Sequence, residues 1–166
     1  NPPHSGILFS MLNPRCAMSD IHVLLAFLRF SEMPETEIKA MFPDFSALRE
    51  AELSTNEAQN ALLIQRGQNA VLIENYLDEP CRKETVPIDY GEGLESLRSL
   101  NVLLVVRIGW ETLSEKSSLT EKVRYISAAE LIDFCERWCR NHTEKSLAKA
   151  VLSQYAKELE TSRGTV

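Results

Sequence analysis

Apolar residues run almost without a break from 7 to 12, and Asn13-Pro14 then stops the segment, which predicts a short buried helix. Ser19-Asp20 can cap a second helix, because a side-chain oxygen there accepts from free first-turn amides, and residues 21–30 supply its apolar face. Pro34 opens a third, short helix running toward Met41, and Pro43-Asp44 marks the exit from this helical front end. The pattern changes between about 48 and 76. Ala61-Leu62-Leu63-Ile64 and Ala70-Val71-Leu72-Ile73 flank Gln65-Arg66-Gly67-Gln68-Asn69, predicting two buried strands around a glycine-containing turn. Residues 78–92 are polar, with Pro80 and Pro87, and read as a loop. Residues 93–100 fit a short helix, and 101–108 a strand buried on both faces, as a central mixed sheet requires.

Beyond a charged stretch, Val123-Arg124-Tyr125-Ile126 predicts a short edge strand. Ser127 follows as an N-cap with Glu130 three residues on, the spacing of a capping box. Leu131, Ile132, Cys135, Trp138 and Cys139 then recur at helical spacing. A last helix over about 144–159 carries Leu147, Val151, Leu152, Tyr155 and Leu159 on one side, with a frayed tail over 161–166. The expected architecture is one α/β domain over 1–160, a mixed β-sheet flanked by helices.

At 166 residues and 44% hydrophobic content the chain suits a single domain with a substantial core. Eighteen Lys and Arg against 24 Asp and Glu give a net charge of -6, which repels a phosphate backbone on average but leaves room for a local basic groove. No apolar run is long enough to span a membrane, and the Asn1-Pro2-Pro3-His4 start lacks the basic segment of a signal peptide. Cys16, Cys81, Cys135 and Cys139 form no framework and no zinc spacing. They fit reduced thiols in a cytoplasm, with Cys135 and Cys139 as buried small side chains.

Four pieces in order resemble a branch of the PD-(D/E)XK nuclease superfamily. The first is His4-Ser5-Gly6-Ile7-Leu8-Phe9-Ser10-Met11-Leu12-Asn13-Pro14, against the family's His-Ser-x-x-L-x-x-L-L-x-P, followed by Leu24-Leu25-Ala26-Phe27-Leu28. The second is the hairpin ending Ile73-Glu74-Asn75-Tyr76, where the family has Ile-Glu-Asn-Lys. The third is the buried strand from Val102, and the fourth is Tyr125-Ile126-Ser127 through Ile132 and Trp138, then Gln154-Tyr155. The resemblance implies a restriction-endonuclease-like fold. It also implies a site in which acidic oxygens from adjacent strands hold Mg²⁺ or Mn²⁺ while a lysine helps to activate water.

Glu74 matches the family's metal-binding glutamate. The aspartate position falls at Ala61, or at Asn60 with a one-residue slip, and the lysine position is Tyr76, which carries no positive charge at neutral pH. The helical glutamate of many relatives falls at Asn1. Three expected groups are missing, so the leading expectation is a catalytically inactive nuclease-like module in a bacterial defence, mobile-element or nucleic-acid-processing complex. Its acidic balance favours a protein partner or self-association over free DNA or RNA, with no cofactor.

The alternative is an active Mg²⁺- or Mn²⁺-dependent nuclease whose site is refilled around Glu74 by Glu52, Asp78, Glu79 or Lys83, with Glu74 and Glu52 as metal ligands. Otherwise Glu52 pairs or points to solvent at a strand end and 78–83 is a solvated loop. A third possibility is an accessory or oligomeric domain unrelated to nuclease chemistry. His4 is expected to bond the local backbone, His22 and His142 to lie at the surface or at helix ends, and Trp110 and Trp138 to be core aromatics. No G-x-S-x-G elbow or phosphate loop is present.

Overall fold

The computed structural model describes residues 4–16, 20–43, 53–58, 60–78, 97–111 and 120–163. In these, five helices flank a five-stranded mixed sheet: α1 (His4–Leu12), α2 (Ile21–Phe30), α3 (Glu35–Met41), β1 (Ser54–Ala58), β2 (Ala61–Arg66), β3 (Asn69–Asn75), β4 (Asn101–Gly109), β5 (Val123–Ser127), α4 (Ala128–Asn141) and α5 (Leu147–Arg163). The strands lie in sequence order. β1, β2 and β3 form an antiparallel meander, and β4 and β5 continue it in parallel. Among the described residues no helix is long and apolar enough to cross a membrane.

Local chemistry accounts for most of the boundaries. The Asp20 side chain accepts from the His22 amide at 2.8 Å and starts α2. Pro34 stands just before α3, whose first turn carries Glu35 and Glu37 and whose last carries Lys39, an order that suits the helix dipole. Gly67, at φ 58°, turns β2 into β3, and Asn60, at φ 67°, supplies the left-handed residue where β1 turns into β2. The predicted capping box closes α4: Ser127 Oγ accepts from the Glu130 amide at 3.2 Å, while Glu130 Oε1 accepts from the Ser127 amide at 3.4 Å.

Three expectations need correction. The sequence gives two strands in the hairpin region, and the structure adds β1. Its Ser54, Asn56 and Glu57 are exposed at the sheet edge, so no apolar alternation marks it. The last helix begins at Leu147 rather than 144 because the Ser146 hydroxyl accepts from the Lys149 amide at 3.1 Å and so caps it, and it continues to Arg163. Leu147 is consequently a first-turn residue at 60% exposure, and the buried face is Ala148, Leu152, Tyr155, Ala156 and Leu159. Of the predicted helix over 93–100, Leu97 and Arg98 are helical and 93–96 lie outside the described residues.

Alternation along the strands sorts side chains onto two faces. Leu62, Ile64, Val71, Ile73, Leu104, Val106, Ile108 and Ile126 join side chains from all five helices in one large core. On the other face Ala61, Leu72, Val102 and Val105 form a small separate cluster. An irregularity in the β3–β4 register, Ala70 against Val102 and then Val71 against Leu104, turns Val102 to that side.

Candidate functional site

Glu74 lies near the end of β3 on the face with the small cluster. Its Cα partner on β2 is Ala61 and its Cα partner on β4 is Arg107, so three adjacent strands present these side chains in one row. Of Ala61 and Asn60, the two positions at which the resemblance places the aspartate, Ala61 is therefore the one that pairs with Glu74. Asn60 lies in the turn, where its carbonyl accepts from the Asn75 amide at 2.8 Å and its Oδ1 accepts from Ser5 Oγ at 3.3 Å.

The Glu74 carboxylate is 2% exposed. A buried carboxylate stays charged only with close compensation. Arg107 Nε lies 2.9 Å from Glu74 Oε2, with the Arg107 side chain itself 11% exposed. Tyr76, two residues on and on the same face, donates its hydroxyl to the same oxygen at 2.7 Å. Tyr76 is thus a hydrogen-bond donor to the glutamate, and its amide donates to the Ile108 carbonyl at 2.8 Å, tying the end of β3 to β4. A guanidinium at ion-pair distance, its Nε not aligned for a hydrogen bond, and a donating phenol together compensate an oxygen that, in a metal site, would be a ligand.

The sequence pattern does not single out Arg107, because it sits inside the apolar run of β4 as one polar interruption. The available signal was a single Arg in a strand expected to be buried on both faces, where a charge needs a partner.

A second polar centre lies at the N-terminus of α1. The Asp78 carboxylate accepts from the amides of His4 and Ser5 and from Ser5 Oγ; the Ser5 amide is 3.1 Å from Oδ2. Asp78 therefore caps a helix 73 positions away in the chain, where its charge meets the positive end of the helix dipole. This corrects the solvated-loop reading for Asp78. It also gives that carboxylate an occupation other than a place beside Glu74. Glu52, Glu79 and Lys83, the other residues that could refill a site, lie outside the described residues.

The His4 ring packs edge-on against Trp110 at 5.7 Å between centroids and tilted against Tyr155 at 6.1 Å. The expected bond from the His4 ring to the local backbone is not made through Nδ1, which is buried and has no hydrogen-bond partner among the described residues, and the His4 main-chain amide donates to the Asp78 carboxylate. Trp138 belongs to the core, as expected, whereas Trp110 is only partly buried against it and donates to the Leu77 carbonyl at 3.2 Å. His22 and His142 are exposed, the latter stacked on Trp138 at 3.8 Å beyond the end of α4.

Two further ionisable groups lie deep in the helix-covered core. Burial, with smaller contributions from Cys139 and Glu136, pushes the Cys135 thiol up to about 12. Burial likewise holds the Tyr155 phenol well above its ordinary value, helped by Cys135, Asp78 and Glu158. Neither is poised as a nucleophile at neutral pH. Cys139, half-buried, is also shifted upward, by burial.

No protein-family model matches the chain, and neither a curated protein nor a solved structure does.

Proposed function

We propose that the chain is a catalytically inactive nuclease-like domain, with a restriction-endonuclease-like sheet, that serves as a binding or structural module for a protein partner. The observation that carries this reading is the buried ion pair of Glu74 with Arg107. In the chemistry that the nuclease resemblance implies, the glutamate's oxygens are metal ligands and the facing strand brings a second carboxylate. Here the facing residue is Ala61, and the glutamate's Oε2 is held by Arg107 and Tyr76. The donor set among the described residues does not fit a divalent ion, since one carboxylate already neutralised by a guanidinium has no charge left to offer one. The helix-led element order and the parallel pairing of β3 with β4 are in keeping with the resemblance.

The acidic balance of the chain, 18 basic against 24 acidic residues, favours a protein surface over nucleic acid as the partner, in a setting such as a bacterial defence or nucleic-acid-processing assembly. The reading predicts that the purified chain leaves linear and single-stranded DNA and RNA intact in Mg²⁺ or Mn²⁺. Metal-dependent cleavage by the wild type, lost in Glu74→Ala, would overturn it.

A further inference from the structure

Glu74 needs a positive charge whatever the domain does, because a carboxylate at 2% exposure without one is strongly disfavoured. In a two-carboxylate metal site the ion supplies that charge, with oxygens at roughly 2.0 to 2.6 Å. In this sheet the residue opposite Glu74 on β2 has no oxygen to contribute, and the residue opposite it on β4 is a cation. Resting on the pseudonuclease reading, we propose that Arg107 is a built-in replacement for a divalent cation at Glu74. The sheet then keeps a latent cation site that opens when the guanidinium is removed and a carboxylate is restored at position 61.

Three features of the site fit together in this way. The row Ala61, Glu74, Arg107 is contiguous across β2, β3 and β4, so a side chain at 61 and one at 107 flank the same glutamate. The guanidinium stays protonated at any pH the fold survives, so the compensation is permanent and independent of ion concentration. The charge arithmetic also closes. One carboxylate with one guanidinium is neutral, whereas Ala61→Asp with Arg107→Gln leaves two carboxylates, the complement of one divalent ion. Tyr76 donates to Glu74 beside Arg107 and is unchanged by either substitution.

The test uses Mn²⁺ on the full chain, read by the paramagnetic resonance of bound ion and by the melting temperature, so that it does not depend on activity. Wild type and Ala61→Asp alone, which both keep Arg107, should show no saturable Mn²⁺ binding. Ala61→Asp/Arg107→Gln should bind at least about tenfold more tightly than either, an increment of 1.4 kcal/mol, and Mn²⁺ should raise its melting temperature. Arg107→Gln alone provides a second readout if the double variant is poorly folded, since Mn²⁺ should raise its melting temperature more than that of wild type. The proposal is overturned if Mn²⁺ stabilises neither Arg107 variant beyond wild type, or if Ala61→Asp binds the ion as well with Arg107 present as without it. Those results would leave the inactive-domain reading intact, because that reading fails only if the wild type cleaves nucleic acid.

Discussion

On the helix-covered face of the sheet, Leu62, Ile64, Val71, Ile73, Leu104, Val106, Ile108 and Ile126 merge with residues of every described helix. On the opposite face a four-residue apolar cluster gives way, one pair further along β3 and β4, to Glu74 and Arg107. The first face is held by non-directional burial and tolerates changes that keep volume and apolarity. The second is held at its charged end by an ion pair and by the hydrogen bond from Tyr76, and removing either partner of the pair leaves a buried charge behind. Buried ion pairs contribute little net stability compared with apolar residues of the same shape.

The largest expected effect follows from that asymmetry. Arg107→Met leaves Glu74 buried without its cation and should lower the unfolding free energy by about 3 to 5 kcal/mol, whereas Glu74→Leu/Arg107→Met should return to wild-type stability or exceed it. Urea unfolding of the three proteins decides this. Equal losses in the single and double variants would mean that the pair contributes shape rather than charge, and the contrast between the faces would collapse.

Much of the helix-covered face was legible in the sequence, because each of its elements announces itself locally. Asp20, Pro34, Ser127 with Glu130, and Gly67 mark ends and turns, and runs such as 101–108 mark buried strands. The charged face was legible only in part. Glu74 could be placed because it closes an apolar run, but its partners depend on register. The pairing with Arg107 is set across a 25-residue connection between β3 and β4 and through an irregularity at Ala70/Val71. The hold of Asp78 on α1 joins residues 73 positions apart, and β1, a polar edge strand, has no periodic signal to read. Sequence pattern encodes burial well and partner choice poorly, because burial is a property of one residue and pairing of two.

A smaller change tests the charged face alone. Tyr76→Phe deletes one oxygen, the donor to Glu74 Oε2 at 2.7 Å, while Arg107 stays in place. Hydrogen bonds to charged groups contribute about 1.5 to 3 kcal/mol, so a loss in that range is expected by chemical denaturation. A loss within experimental error would mean that the phenol is a spectator and that Arg107 alone satisfies the carboxylate.

The same deletion on the helix-covered face should behave in the opposite way. Tyr155 is 1% exposed, and its hydroxyl is buried without a hydrogen-bond partner among the described residues. Tyr155→Phe removes a polar atom whose desolvation is not repaid, so stability at neutral pH should hold or rise slightly. The two proteins should then separate at alkaline pH. Burial raises the folded-state pKa of Tyr155 well above the ordinary value of 10.0. The unfolded chain therefore loses that proton first as pH rises. The contribution of the neutral phenol is intact below about pH 10, the unfolded pKa, and is lost as pH climbs toward the folded value. Wild type should accordingly lose stability faster than Tyr155→Phe above pH 10, with the two running parallel below it. Parallel curves throughout would show that the phenol reaches water before the domain unfolds. The helix-covered core would then be looser around Tyr155 than its burial implies, and the contrast with the rigidly paired Glu74 would reverse.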